Sequence, residues 1–269
     1  DVYKRQDKVR RQRLWEGNWD YEEDNDSLVS YDALSDAFSN TITKDNQKYL
    51  TVDVARYGED TTIFSFWDGL ELYKIEKRSK QSTEQTKQQT KDFASQERIP
   101  FSNIMADEDG IGGAIVDGLV GIRGFIANST PLPTRSEVRE RFSKINSFLI
   151  PKRNFKNLKA QCAWKFAELI NEHKLSFKVP EFREEIITDL TGLLRKKDVD
   201  SDGKLEIMPK SDVKTSLGRS PDIGDTLIFR AWFELKKEAL DEQSDTQEKT
   251  INIQRMQFER NKSREDSSQ

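Results

Sequence analysis

Three consecutive strand-like runs limit most strongly the folds open to this chain. Residues 49–55 form an apolar run that carries one carboxylate, and residues 61–67 form a second run rich in β-branched and aromatic side chains. The dipeptide Asp68-Gly69 is a hairpin turn signal, and residues 71–77 continue as a third run. Strands that follow each other through short turns usually pair. The sequence therefore predicts an antiparallel three-stranded meander.

A strand–turn–helix–strand pattern follows the meander. Residues 103–107 are typical of a short strand that ends in an acid, residues 114–120 of an apolar helix, and residues 124–127 of a further strand. The glycine-rich residues 108–113 fit a tight strand-to-helix turn better than a phosphate-binding loop. Strands joined through a helix run parallel. The predicted fold class is α/β, with a mixed five-stranded sheet (the antiparallel meander plus parallel strands) flanked by helices.

The second half of the chain adds helices and one extra β-hairpin. Apolar side chains recur at helical spacing over residues 155–173 and 182–196. A last helix runs from Ser220 to about residue 238, because Ser, Pro and an acid in that order are typical of a helix start. Residues 198–208 read as the hairpin, around an Asp-Gly turn.

Composition divides the chain into three regions. Residues 1–47 read as a connector with a short helix at residues 30–38, residues 48–239 hold the predicted domain, and residues 240–269 form a charged tail. This tail has almost no apolar residues, so we expect a frayed helix or disorder. The chain lacks an initiating Met and an apolar signal core, so we expect a fragment of a longer product.

The scarcity of His and Cys restricts the chemistry open to this protein. One Cys and one His, Cys162 and His173, provide no disulfide framework, no zinc site and no paired-histidine nuclease centre. Any Ser-His-Asp or Cys-His mechanism would have to use His173. No window of about 20 apolar residues occurs. Catalysis here must rest on carboxylates, of which there are 48.

Four aspartates stand out by their positions. Asp53 lies inside the first predicted strand, Asp107 ends the fourth, and Asp222 and Asp225 share one face of the first turn of the last helix. If the first and fourth strands are neighbours, Asp53 and Asp107 lie side by side. A buried carboxylate requires a compensating positive charge, and without His or Cys that charge is best supplied by a hard divalent cation. A lone Asp at a strand end or helix start is usually structural, so each position alone also fits a structural role.

The order of the elements resembles a ribonuclease H-like fold, and five stretches resemble the C-terminal nuclease domain of the bacteriophage terminase large subunit. The resemblance covers residues 10–238. Each stretch alone is loosely defined, but five in the same order are more specific. They are Arg13-Leu14-Trp15-Glu16-Gly17-Asn18-Trp19, Val52-Asp53-Val54-Ala55-Arg56-Tyr57-Gly58-Glu59-Asp60, Ala106-Asp107-Glu108-Asp109-Gly110-Ile111-Gly112-Gly113, Phe155-Lys156-Asn157-Leu158-Lys159 and Gly218-Arg219-Ser220-Pro221-Asp222-Ile223-Gly224-Asp225.

The resemblance implies roles for the four aspartates. Asp53 and Asp107 match the metal ligands of the first and fourth strands, and Asp222 and Asp225 match the final acidic pair, of which Asp225 is favoured as the direct ligand. Together they imply two Mg²⁺ or Mn²⁺ ions for in-line phosphodiester hydrolysis. Many relatives have Ala where this chain has Gly224, and a glycine there loosens the helical turn by up to about 1 kcal/mol.

The resemblance also implies a biological setting. The function would be to cut concatemeric double-stranded DNA at the initiation and termination of genome packaging, in the host cytoplasm, with portal protein and small terminase subunit as partners. The connector would lead from an N-terminal ATPase domain. No G-x-x-x-x-G-K-[ST] motif occurs, so we expect no ATPase activity from this fragment. The full-length protein would be oligomeric on the portal, whereas the fragment could be monomeric.

Basic residues in two segments are candidates for holding DNA. Residues 135–159 carry eight basic and two acidic side chains, a local charge of +6 in a protein of net charge −4. A solvated basic stretch explains this segment equally well. The second segment covers residues 204–219 and begins within the predicted hairpin. The predicted DNA-binding residues are Arg135, Arg139, Arg141, Lys144, Lys152, Arg153, Lys204, Lys210, Lys214 and Arg219.

Two alternatives stay open at this point. The first is a Holliday-junction resolvase or integrase-like nuclease on the same fold. The second is a non-catalytic module that docks on portal or small terminase and carries vestigial acids.

Overall fold

The computed structural model describes residues 27–55, 61–109, 112–133, 154–196 and 203–240. Of these described residues, those from 27 to 131 and from 155 to 232 belong to one compact unit, and residues 132–133, 154 and 233–240 belong to a second. In chain order the helices are α1 (Tyr31–Asp36), α2 (Thr83–Glu97), α3 (Gly113–Gly118), α4 (Leu158–Asn171), α5 (Arg183–Thr191), α6 (Lys210–Leu217) and α7 (222–240). The strands are β1 (Lys48–Asp53), β2 (Thr61–Asp68), β3 (Glu71–Ser79), β4 (Ile104–Asp107), β5 (Arg123–Phe125) and β6 (Ser176–Phe177).

The first three strands form the predicted antiparallel meander. β1 pairs with β2 from Lys48↔Asp68 to Asp53↔Ile63, and β2 pairs with β3 beginning at Asp68↔Glu71. Gly69 makes the turn between β2 and β3 at a φ of +60°, a conformation that favours glycine. The meander prediction is therefore confirmed.

Parallel strands complete a mixed sheet in the order β5-β4-β1-β2-β3-β6. β4 runs parallel to β1 and to β5, as predicted for the strand–helix–strand unit. The sheet has six strands rather than the predicted five, because β6 pairs in parallel with β3 at its far edge. A two-residue strand between two helices is too short to show a period in the sequence. The predicted fold class is otherwise confirmed.

One face of the sheet is covered by α2 and α3. The side chains of alternate residues on β1, β2 and β4 point to this face, which gives an apolar core with Phe93 of α2 and Ile115 of α3. Phe93 contacts two strand phenylalanines edge to face, at ring-centroid distances of 5.1 and 5.2 Å. This face is therefore a closed hydrophobic core.

The opposite face is covered by α4 and α7. Trp67 of β2 contacts Phe166 of α4, and the hydroxyl groups of Ser65 and Thr226 lie 2.7 Å apart between β2 and α7. Arg230 of α7 is fully buried and donates two hydrogen bonds to the carbonyl oxygen of Gly69. α7 is therefore anchored along the strands that carry the meander.

The described part of the predicted connector packs on this domain. Its predicted short helix is α1, which contacts α4 and α5 and buries Ala33 and Leu34. The division of the chain at residue 48 stays a prediction. No helix in the described ranges is both long enough and apolar enough to cross a membrane.

The segment between α5 and α7 differs in part from the prediction. α5 ends at Thr191 rather than near residue 196, and Arg195 pairs with Ile207 in antiparallel fashion. The hairpin was predicted over residues 198–208, whereas the observed pairing joins residues 194–196 to residues 206–208, and residues 197–202 lie outside the described residues. α6 was not predicted, because none of its residues is buried and its sequence shows no apolar stripe. It ends at Gly218 in a left-handed conformation.

Candidate functional site

The parallel pairing of β1 and β4 brings two of the predicted aspartates together. The register runs from Leu50↔Ile104 to Val52↔Ala106, so the next residues are Asp53 and Asp107. Side chains alternate between the two faces of a strand. Because Val52 and Ala106 belong to the core under α2 and α3, the two aspartates point to the face that carries α7.

The first turn of α7 brings the second pair of acids to the same place. The Thr226 side chain is hydrogen-bonded to that of Ser65 on β2, and Asp225 immediately precedes Thr226 in the sequence. Asp225 is only 6% exposed and Asp53 is 9% exposed. Buried carboxylates from two separate elements therefore meet where β1 ends.

The ammonium group of Lys210 lies among three of these carboxylates. Its Nζ is 2.7 Å from Asp225 Oδ2, 3.7 Å from Asp222 Oδ1 and 3.9 Å from Asp53 Oδ2. The other oxygen of Asp225, Oδ1, accepts a hydrogen bond from Lys159 Nζ at 2.7 Å. One oxygen each from Asp53, Asp222 and Asp225 therefore faces a single cationic point.

The acids perturb one another strongly. Burial raises the pKa of Asp53 to about 8; Lys210 opposes this shift, and Asp225, Asp107 and Asp222 add to it. Burial also raises the pKa of Asp107 to about 6. Asp225 behaves differently, because Lys159 and Lys210 lower its pKa below the ordinary value despite its burial. The cluster therefore lacks positive charge even with two lysines beside it.

A tight turn holds Asp107 at the edge of this cluster. Asp107 Oδ1 accepts a hydrogen bond from the amide of Asp109, at 3.1 Å. A Cβ atom on Gly112 would lie 1.5 Å from the carbonyl oxygen of Asp107, so only glycine allows the chain to return this closely. The contact supports the prediction of a turn for this glycine-rich stretch.

The donor chemistry of the cluster fits a hard divalent cation. All the facing atoms are carboxylate oxygens, which Mg²⁺ and Mn²⁺ prefer, and an ammonium group already lies where positive charge is needed. In this conformation, the described residues contain no three His, Cys, Asp or Glu side chains converged closely enough to hold an ion. A bound ion would therefore replace Lys210.

The structure gives the predicted DNA-binding residues different surroundings. Lys210 lies within the carboxylate cluster, Arg219 pairs with Asp189 at 2.7 Å, and Lys214 is exposed on α6. Lys204 is half-buried after the hairpin tip. The other six lie outside the described residues: Arg135, Arg139, Arg141, Lys144, Lys152 and Arg153.

Two residues at the site were not predicted as part of it. Lys159 was assigned to the basic segment and to one resembling stretch without a site role, although it contacts Asp225 directly. Asp189 of α5 is buried and binds the amide of Gly224 at 3.0 Å. The sequence predicted a helix around Asp189, and an aspartate in a helix is usually expected to face solvent. The position of this acid among the apolar residues of the helix was the signal that could have indicated its burial.

Comparison with solved structures identifies the fold. The chain is similar to the nuclease domain of the large terminase subunit gp2 of bacterial virus Sf6, with a TM-score of 0.60 and 17% sequence identity over 76% of this chain and 98% of that chain. A mutant of that domain with manganese and beta-thujaplicinol gives a TM-score of 0.61, and a mutant with calcium gives 0.59, with the same identity and coverage.

Identity at this level establishes the fold alone, which is the predicted ribonuclease H-like fold of terminase nuclease domains. No protein-family model matches this chain, and no curated protein matches it. The resemblance stated from the sequence is confirmed for the three-dimensional structure.

Proposed function

We propose that this chain is a metal-dependent DNA endonuclease that cuts concatemeric double-stranded DNA at the start and end of packaging, as part of a viral terminase large subunit. The observation that carries the proposal is the convergence of Asp53, Asp222 and Asp225 on one cationic point, with Asp107 on the adjacent strand. The fold supports it, since terminase nuclease domains share this architecture.

Asp53, Asp107 and Asp225 are the residues that would hold two Mg²⁺ or Mn²⁺ ions, with Asp222 assisting. Bound ions of this kind lower the pKa of an attacking water and neutralise charge on the phosphate. The structure of the similar nuclease domain from bacterial virus Sf6 has been solved with manganese. This supports the binding of divalent ions by this chain as well. Asp225 Oδ2, which Lys210 contacts, would be the oxygen that binds the ions, because Lys159 holds Oδ1.

The lysines have distinct tasks in this proposal. Lys159 fixes the rotamer of Asp225 from α4, so that the oxygen facing the cluster is preset. Lys210 stabilises the acids in the metal-free protein. With ions bound among the acids, the Lys210 ammonium would be available to contact the DNA phosphates, which agrees with its predicted DNA-binding role.

The proposed partners follow from the proposed function as a terminase nuclease. Double-stranded DNA would contact Lys204, Lys214, Arg219 and the basic segment of residues 135–153. Portal protein and small terminase subunit would be partners in the complete motor, in the host cytoplasm. These assignments rest on the resemblance and on the fold.

A plasmid assay tests the proposal. Wild-type protein with Mn²⁺ is expected to nick and linearise supercoiled plasmid, and Asp53→Asn or Asp107→Asn to abolish cleavage while circular dichroism stays unchanged. Asp117→Asn is the matched control, because Asp117 is an exposed acid on α3. Cleavage that survives in both site variants, or an intact plasmid with wild-type protein, would refute the proposal.

The substrate distinguishes the alternative nuclease. A terminase nuclease is expected to cut linear duplex and a four-way junction at similar rates. A strong preference for the junction would instead favour a resolvase. A docking module predicts that Asp53→Asn changes no measurable activity.

A further inference from the structure

We propose that Asp189 is a positioning residue that sets the first turn of α7, and with it the carboxylates of Asp222 and Asp225, by holding the main-chain amide of Gly224. This inference rests on the proposed function, because the turn matters for catalysis only if its acids bind metal. Asp189 is not itself a ligand in this proposal. It acts through the backbone.

The contacts of Asp189 link three parts of the chain. Its side chain is fully buried on α5, Oδ2 accepts a hydrogen bond from Gly224 N at 3.0 Å, and Oδ1 lies 2.7 Å from Arg219 Nη2. One carboxylate therefore holds both ends of the segment 219–224. That segment carries Asp222 and leads directly to Asp225.

Asp189 takes the place of a local side-chain cap at the start of α7. The first amide groups of a helix have no partner within it and are usually satisfied by the side chain just before the helix. Within the described residues, the Ser220 side chain makes no hydrogen bond to this turn. Pro221 has no N–H, and Asp225 N donates to the Pro221 carbonyl at 3.0 Å. The amide of Gly224 is satisfied instead by a side chain from α5.

Close packing makes the contact specific. A Cβ atom on Gly224 would lie 2.9 Å from the Cβ atom of Asp189, which is closer than real Cβ contacts. The obstructing atom is held by the α5 backbone, so it cannot rotate away. Gly224 therefore lets α5 approach the turn.

The consequence for the acids is geometric. Gly224 lies next to Asp225 in sequence and two residues after Asp222, and all three belong to one helical turn. A shift of the Gly224 amide therefore displaces both carboxylates relative to Asp53. Groups that hydrogen-bond metal ligands typically account for about 10- to 100-fold in metal affinity. Asp189 acts on the backbone that carries two of the proposed ligands, so we expect an effect of that order.

Binding of Mn²⁺ to the full chain, measured by isothermal titration calorimetry without DNA, tests the inference. Asp189→Ala is expected to weaken binding about 10-fold or more. Asp189→Asn keeps an oxygen acceptor for Gly224 N, so we expect it to retain affinity within about 3-fold of wild type. Gly224→Ala, which keeps Asp189 but pushes the turn away, is expected to weaken binding as Asp189→Ala does.

A control variant separates positioning from general stability. Ile186→Ala removes a fully buried side chain from the same helix, and core truncations of this kind cost about 2–5 kcal/mol. It is expected to lower the melting temperature and leave Mn²⁺ affinity unchanged. Loss of affinity in Ile186→Ala equal to that in Asp189→Ala would overturn the inference, and so would wild-type affinity in Asp189→Ala.

The outcomes also separate this inference from the proposed function. If wild-type protein binds no Mn²⁺, the metal-dependent function fails and the role of Asp189 fails with it. If wild type binds Mn²⁺ and the Asp189 and Gly224 variants bind it equally well, only the inference is overturned. If Asp189→Ala does not fold, the comparison of Asp189→Asn with Gly224→Ala decides.

Discussion

The hydroxyl pair Ser65–Thr226 offers a quantitative test of how α7 is fixed on the sheet. Both side chains are fully buried, and their oxygens lie 2.7 Å apart. Thr226 donates its proton to the carbonyl oxygen of Ile223 at 2.8 Å, so Ser65 must be the donor to Thr226. The pair joins β2 to the residue next to Asp225.

The two single substitutions differ in what they leave behind. Thr226→Val keeps the shape but leaves the Ser65 donor buried without an acceptor, which costs about 1–3 kcal/mol. Ser65→Ala removes that donor, while the Thr226 proton stays bonded to Ile223, so we expect a cost of about 1 kcal/mol. The double variant has no orphaned donor and is expected to be no less stable than Thr226→Val alone.

Urea unfolding of the four proteins measures this coupling. Ser65→Ala is expected to lower the free energy of unfolding in the wild-type background and to leave it unchanged, or raise it by up to about 1 kcal/mol, in the Thr226→Val background. Equal costs of Ser65→Ala in both backgrounds would show that the hydroxyl groups do not interact. That result would refute the conclusion that the Ser65–Thr226 hydrogen bond anchors α7 on the sheet.

Further predictions concern charge, metal and the turn. Burial raises the pKa of Glu97, but Lys48 and Tyr73 lower it further than burial raises it, to below the ordinary value. A carboxyl group whose pKa is lower in the folded than in the unfolded state stabilises the fold at a pH above its unfolded-state pKa. This contribution to stability is lost as the pH falls through the folded-state pKa. Glu97→Gln is therefore expected to reduce stability near pH 7 by up to about 1 kcal/mol and to have no effect near pH 2, measured by urea unfolding. Lys210→Ala is expected to lower the melting temperature without metal and to increase the stabilisation by Mn²⁺, because the ion then displaces no ammonium; an unchanged Mn²⁺ effect would contradict this. Gly112→Ala is expected to cost more than about 3 kcal/mol, since its Cβ would overlap a backbone carbonyl, and near-native stability would contradict the tight turn.

Local patterns explain why much of the fold was predictable. The meander follows from alternation and an Asp-Gly turn, both of which act between residues close in sequence. The strand–helix–strand unit follows from chain connectivity, which leaves parallel pairing as the ordinary result. Asp53 and Asp107 were expected side by side on the condition that the first and fourth strands are neighbours, and the parallel register of β1 and β4 meets that condition.

Elements without a local signal were missed. β6 is two residues long, and α6 buries none of its side chains, so neither shows a period. α5 was predicted five residues too long, because Leu193 and Leu194 continue the helical spacing in the sequence. In the structure the chain instead leaves the helix and pairs with residues 206–208. Tertiary pairing there outweighs local propensity.

By itself, the sequence determined the meander, the strand–helix–strand unit, the placement of two aspartates on strands and two in a helical turn, and the scarcity of His and Cys. Only the tertiary structure decided which groups compensate those acids, Lys159 of α4 and Lys210 of α6, and that Asp189 of α5 holds the turn behind them. The physical reason is range. Strand alternation depends on residues that are neighbours in sequence. A buried charge is instead balanced by whichever opposite charge folding brings within a few ångströms, and no local sequence pattern indicates such a contact between distant residues.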